Sequence, residues 1–368
     1  MANYDFDVIV HDDVSSAIHP LVAERGGMAG AEHQVVLLAE GLAARGHRVL
    51  VRSRLGRLGA TARAAVYEDA SSPGEIGARA LLIHAYSSIP AGVRADRTLV
   101  LSKDMPGGGF HDHFSPHLES GEWTHVAPSE WASGYYGHVY PKWKRRVVLP
   151  YMVPDAIYDR PKGNECELRH YRSPRRFFYA SAAIKGLSRT LDVWNELADR
   201  LDHGAELHVC LPGYDEPSAA DRESFGYRGV TFRGSLTPAQ LVEELSTASG
   251  LFYVNTFRET FCMTAVTGEV LGCRTHVLCE GGGFGALEET LRSGLVTDRR
   301  EQFDRLFEHG LDLRSPTDLT WRPRNFRVSA VLPRWEEALL GAGVSASALA
   351  FPEFEFFGPY DADTREAP

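Results

Sequence analysis

The sequence is poor in the features that would tie it to an oxidising compartment, a membrane or a nucleic acid. Its 368 residues include five cysteines, Cys166, Cys210, Cys262, Cys273 and Cys279, an odd number without paired metal-ligand spacing. A disulfide framework and a thiolate zinc site are both disfavoured, and free thiols in a reducing, cytoplasmic setting are expected. No apolar run approaches the roughly 20 residues that span a bilayer, so no transmembrane segment is expected. The opening MANYDFDVIVHDD carries acids around a short apolar run and lacks the basic end of a signal peptide. Basic excess is missing too: 39 Lys+Arg against 49 Asp+Glu give a formal charge of −10. A general binder of phosphate backbones needs the opposite sign. The one compact basic stretch, KWKRR from Lys142 to Arg146, reads as a solvated surface loop, and a nucleic-acid acceptor has no support beyond it. Internal repeats and low-complexity tracts are absent.

What is there is a soluble globular composition, 43% hydrophobic and 24% charged. At roughly 100 to 200 residues per domain, the length predicts two cores. DFDVIV (5 to 10) ends in polar HDD, and AEHQVVLLAEGLAARG (31 to 46) then repeats Val35, Val36, Leu38, Ala39, Leu42 and Ala43 with helical period before Gly46. HRVLVRS restarts as a strand, so strand, helix and strand form a βαβ unit and a parallel sheet. ALLIHA (80 to 85), TLVLS (98 to 102) and RRVVLP (145 to 150) fit further strands buried on both faces. Residues 154 to 176 are polar and broken by proline, as a linker is. A second alternation follows: RRFFYAS, a helix around TLDVWNELADRL, AELHVCLPG, a helix in AQLVEELSTA, GLFYVNT, a helix over 263 to 272, RTHVLCE and a helix over 287 to 293. The expected domains are 1–153, a linker 154–176, a second domain 177–335, and a helix and tail 336–368 that could return to the first domain.

Chemistry concentrates where strands turn into helices. RGGMAGAE (25 to 32) sets glycines, Gly27 among them, before a helix N-terminus, where backbone amides can face an anion or sugar. It departs from the G-x-G-x-x-G dinucleotide pattern, and no acid ends the second strand, so a nicotinamide oxidoreductase is disfavoured. In RETFCMTAVTGEVLGC (258 to 273), GLFYVNT ends a strand, RET turns the chain and FCMTAVTGEVLG starts a helix. Amides near Thr260, Phe261 and Cys262 would face a diphosphate, and Glu259 could accept hydrogen bonds from sugar hydroxyls. His111, Asp112 and His113 have alternate spacing with no third ligand in register, and no metal site is expected there.

These segments resemble the large retaining glycosyltransferase group typified by glycogen, sucrose and mannosyl transferases, and ETFC-x-TA resembles one bacterial subgroup of it. The family signature E-x-F-(G or C)-x-x-x-x-E-A-M-A-x-G meets Glu259, Phe261, Cys262 and Gly272 in register. YASAAIKGL (179 to 187) resembles the segment whose lysine meets the donor diphosphate, here Lys185, with Ser181 in a stretch where an arginine is frequent. LHVCLPGY supplies Gly213, and EGGGFGALEE supplies Gly282, Gly283 and Glu288. LLIHAYS resembles a segment with two histidines one residue apart: His84 matches the first and Tyr86 replaces the second. LSKDMPGGGFHDHF resembles the acceptor-side loop, with Lys103, Asp104 and His111 as candidates. The family's second glutamate falls on Thr267; Glu269, two residues later, lies about 200° round the helix and cannot stand in for it.

The resemblance implies an α/β chain of GT-B type, two Rossmann-like doubly wound domains facing a central cleft. It implies hexosyl or related transfer with retention, from a nucleotide-sugar co-substrate to a glycan or small-molecule acceptor, with no metal or other cofactor. Catalytic candidates are Glu259, Lys185 and His84. Gly27, Ser181, Lys185, Gly213, Glu259, Thr260, Phe261, Cys262 and Thr267 are the donor-side set, and Tyr86, Lys103, Asp104 and His111 the acceptor-side set. Thr267 and Tyr86 also leave room for a non-catalytic nucleotide-sugar or glycan-binding protein. The oligomeric state is open.

Overall fold

The computed structural model describes residues 4–15, 17–24, 28, 30–58, 61–62, 64–84, 86–106, 111–160, 176–198, 205–212, 227–281, 283–292, 295–310 and 323–341. The first domain runs β1 (Phe6–Asp12), α1 (Pro20–Glu24), α2 (Gly30–Ala44), β2 (Val49–Ser53), β3 (Thr61–Ala62), β4 (Val66–Asp69), β5 (Ile76–His84), β6 (Val93–Leu101), α3 (Ser115–Ser120), β7 (Thr124–Ala127), α4 (Glu130–Val139) and β8 (Arg146–Val148). Its sheet has the order β3-β4-β2-β1-β5-β6-β7-β8. Every pairing is parallel except β3 with β4. After α5 (Asp155–Tyr158), the second domain runs β9 (Arg176–Ala180), α6 (Leu187–Ala198), β10 (Glu206–Cys210), β11 (Val230–Phe232), α7 (Pro238–Thr247), β12 (Gly250–Asn255), α8 (Met263–Val270), β13 (Arg274–Cys279), α9 (Leu287–Thr290), β14 (Leu295–Thr297) and α10 (Arg300–Gly310). Its sheet is wholly parallel, ordered β11-β10-β9-β12-β13-β14.

Both sheets reverse their winding beside the first strand of the domain. That reversal opens a crevice at the carboxyl ends of β1 and β5 in one sheet and of β9 and β12 in the other. In β1 the alternation is plain: Val8 and Val10 face α2, and Ile9 faces the opposite layer with Leu50, Ile83, Phe114, Tyr136 and Trp143. The α2-side core continues without a break into the second domain through Tyr151, Phe261 and Phe326, whose rings meet at 5.3 Å and 4.9 Å.

Three features differ from the sequence expectation. Helices α3 and α4 occupy 115–120 and 130–139, where low-propensity Gly, Ser and aromatic residues hide the helical period. The connections from β4 to β5 and from β5 to β6 are six and eight residues long. Their described residues form no helix, because Pro73, Gly74, Pro90 and Gly92 break one. Finally, α11 (Val328–Leu340) lies on the first sheet, so residues 328–335, grouped by sequence with the second domain, pack in the first. Leu332 meets Gly41 of α2, Trp335 Nε1 donates to Pro150 O at 3.2 Å, and Arg97 Nη1 donates to Ala338 O at 2.9 Å. The chain crosses between domains at Val153 and again at Phe326 to Val328, and the two passages pair: Val153 N donates to Phe326 O (2.8 Å) and Val328 N to Val153 O (3.1 Å). The tail expected beyond 341 lies outside the described residues. Among the described residues no helix is long and apolar enough to cross a membrane.

Candidate functional site

The second domain supplies a lysine and a glutamate from the two strands flanking its reversal. After β9 the chain makes a 3-10 turn, Ala183–Lys185, capped by Gly186 with φ +113°. A Cβ at Gly186 would sit 2.1 Å from Val254 O, so only glycine lets this turn lie across the end of β12. After β12, Glu259 is held by its backbone: Ala286 N donates to Glu259 O at 2.6 Å, and a Cβ at Gly285 would meet that oxygen at 2.2 Å. Lys185 Nζ bonds Glu259 Oε1 at 2.9 Å and Oε2 at 3.1 Å. Burial favours the neutral amine, but the Glu259 charge outweighs it and raises the Lys185 pKa, so the ammonium is secure.

Thr260 and Phe261 are buried beside this pair. Cys262 enters α8 with φ +64°, the one positive φ of a non-glycine among the described residues. Such a conformation costs about 1–2 kcal/mol. Burial pushes its thiol up to about 12, so it is a neutral thiol and not a nucleophile. Ser181 is half-buried just after β9, and Thr267 is half-buried on α8. Glu269 turns the other way: it is buried, and its Oε1 accepts from Arg292 N inside the domain. Glu288 is exposed, whereas Glu289 is buried and reaches across to the first domain, accepting from Glu130 N (3.0 Å) and Trp131 N (2.8 Å) at the start of α4. Gly27, Gly213 and Gly282 lie outside the described residues.

The first domain sets its own charged groups at its reversal. Asp12 ends β1 and His84 ends β5; Asp12 Oδ2 and His84 Nδ1 are 2.6 Å apart, and both side chains are fully buried. Burial raises the Asp12 pKa, but the His84 contact and the Ser15 amide outweigh it and hold the carboxyl below the usual range. His84 Nε2 is buried and has no partner. Glu32, in the first turn of α2, accepts from Ser15 Oγ at 3.1 Å and from Lys103 Nζ, and its Oε2 is buried and unpartnered. Asp12 and Glu32 are additions that the motifs did not single out. A readable signal existed, since an acid at the end of the first strand and a histidine at the end of the strand paired with it meet in any sheet of this order.

The two halves touch. Thr260 Oγ1 donates to Lys103 O at 2.6 Å, Gln34 Nε2 donates to Met152 O at 2.8 Å and lies 3.6 Å from Met263 Sδ, and the Arg258 guanidinium sits 5.4 Å from the centre of the Tyr135 ring. Asp104 is exposed and follows Lys103, whose carbonyl takes the Thr260 contact. Tyr86 is half-buried, edge-on to His111 at 5.6 Å.

His111 is a correction. It is 1% exposed, with Nε2 at 3.1 Å from Ser102 Oγ and 3.2 Å from Tyr136 OH, among the rings of Tyr136, Tyr140 and Trp143. Burial drives its pKa down to about 4, so it is a neutral core histidine and not a surface that meets an acceptor. His113 points elsewhere, toward Ser87 O at 3.1 Å.

No family model and no curated protein matches the chain. Solved structures do. WaaG, a glycosyltransferase involved in lipopolysaccharide biosynthesis, aligns over 91% of this chain and 100% of its own, with 14% identity and a TM-score of 0.62. Sucrose-phosphate synthase from Thermosynechococcus elongatus aligns over 90% and 98%, with 11% identity and a TM-score of 0.61. Anabaena HepE in complex with UDP-glucose aligns over 90% and 98%, with 11% identity and a TM-score of 0.54. At such identities the likeness is one of architecture. The chain has the GT-B fold.

Proposed function

We propose that this chain transfers a sugar, a hexose or close relative, from a nucleotide-sugar donor to a hydroxyl of a glycan or small-molecule acceptor, with retention at the anomeric carbon. The observation that carries the reading is the Lys185–Glu259 pair at the reversal of the second sheet, next to the contact that Thr260 Oγ1 makes with Lys103 O of the first domain. A diphosphate there exchanges one carboxylate contact of Lys185 for phosphate oxygens, and the released Glu259 oxygen accepts from a sugar hydroxyl. The ammonium neutralises the departing diphosphate, so the reading assigns that task to the side chain and not to a metal. Closure of the cleft over the donor would keep water from it. The UDP-glucose bound by HepE supports a nucleotide-sugar donor. A cytoplasmic site of action belongs to the same proposal.

The non-catalytic alternative is favoured by Thr267, since Glu269 is committed to Arg292 N and leaves the ribose without a carboxylate. One experiment separates the two. UDP-, GDP-, ADP- and dTDP-sugars are screened by thermal shift, and the hit is incubated with acceptor extracts in EDTA. Nucleoside diphosphate release that disappears in Lys185→Ala and Glu259→Ala supports transfer. Tight binding without release against every acceptor supports the nucleotide-sugar-binding protein, and no binding by any donor removes both transfer and nucleotide-sugar binding.

A further inference from the structure

On the face of the first sheet opposite α2, the six-residue and eight-residue connections replace the helices that would cover β2, β1 and β5. Between them and the sheet lies a cavity of about 480 Å³. That is within the ~300–1,000 Å³ of ligand pockets. His11, Asp13, Arg52, Ser72, Glu75 and Ser88 are among its lining residues, and Lys185, Glu259, Lys103 and His84 are not. Side chains alternate along β1, so His11 faces this cavity while Asp12 faces the cleft.

The floor of the cavity holds a cation that makes no ion pair among the described residues. Arg52 is 2% exposed; its Nη2 donates to Ala70 O (3.3 Å) and Ser72 O, its Nε has no partner, and no carboxylate of the described residues lies within ion-pair distance of it. His11 is equally buried; neither ring nitrogen has a hydrogen-bond partner, and Asp13 Oδ2 lies 3.8 Å from Nε2. Burial lowers its pKa, so it stays neutral and does not add to the charge. Of the acids nearby, Asp13 accepts from Ser88 N (3.0 Å) and Ser88 Oγ, Glu75 pairs with Arg94 at 2.9 Å, and Glu68, the register neighbour of Arg52 on β4, makes no ion pair with it. A buried guanidinium left without a carboxylate is costly unless an anion meets it.

We infer that this cavity is a second binding site, separate from the cleft, for a hydroxyl-bearing oxyanion such as a sugar acid or a sugar phosphate. Its anionic group meets Arg52 and His11, and a hydroxyl donates to Asp13. The same chemistry can come from a carboxylate or a phosphate on the sugar, and glucuronate and glucose 6-phosphate probe the two sources, with glucose as the neutral control. The full chain is titrated with each. At ten times Kd, an anionic sugar raises Tm by about 2–4 °C. The response is expected to vanish in Arg52→Gln and in Ala91→Glu, which sets a carboxylate on an exposed residue at the cavity mouth, and to grow in Ala91→Lys. It is expected to persist in Lys185→Ala. Should Arg52→Gln fail to fold, the opposed Ala91 variants decide. Binding by neither anion, equal binding of glucose, a response blind to the charge at position 91, or one lost with Lys185 each overturns the inference.

Discussion

Replacing Gly186 by alanine tests how tightly the donor-side lysine is built into the fold. The added Cβ would lie 2.1 Å from Val254 O, where ordinary contact starts near 3.4 Å, so turn and strand must part by roughly 1.3 Å. Overpacking of that kind costs about 1–3 kcal/mol. A φ of +113° lies outside the left-handed well that alanine tolerates. That adds about 1–3 kcal/mol. The sum is centred on about 4 kcal/mol, and at roughly 2–3 °C per kcal/mol Tm falls by about 8–12 °C. Gly281→Ala is the matched control: its φ is +63° and nothing lies within 4 Å of the new Cβ. It is expected to cost only about 1 kcal/mol. Differential scanning calorimetry gives both values, and donor titration reports whether Lys185 moved with the turn. If Gly186→Ala melts within 2–3 °C of Gly281→Ala and binds donor as wild type does, the close approach over β12 has no energetic weight and the reasoning fails.

Two further outcomes follow from the buried polar groups. Burial lowers the pKa of His111 to about 4 and of His125 to about 3, from 6.5. The unfolded chain therefore binds more protons below pH 6.5, and each histidine removes up to about 1.4 kcal/mol of stability per pH unit as the pH falls toward its folded value. Urea melts between pH 7 and 4.5 should show this slope, lowered in His125→Gln by up to about 1.4 kcal/mol per pH unit; an unchanged slope in that variant would refute the assignment. Glu289→Ala removes two carboxylate–amide bonds across the domain boundary and should cost about 2–3 kcal/mol. It should also raise the radius of gyration in solution scattering, whereas a stability loss with no change in dimensions would mean that Glu289 does not hold the domains together.

The βα alternation was readable because buried parallel strands and amphipathic helices leave distinct periods. The turn residues Lys185 and Glu259 were readable because chemistry and chain direction change there together. Asp12 and Glu32 were passed over, since HDD reads as a strand ending and GAE as a helix start until the order of strands brings them together. His111 was misplaced because it follows a glycine run and is flanked by Asp112 and His113, while its neighbours in space, Tyr136, Tyr140 and Trp143, come from later in the chain. The cavity beside Arg52 was invisible for a related reason: a missing helix leaves no period to detect.

The position of α11 bears on the order in which the molecule assembles. Val331, Leu332, Trp335, Ala338 and Leu339 belong to the core that covers α2 and β5, although some 180 residues separate them from the last strand of that sheet. On the ribosome, the second sheet has all its strands before the first has its final helix. Until residue 340 emerges, the nascent first domain keeps an uncovered apolar groove along α2, and a chaperone or a premature partner would find it there.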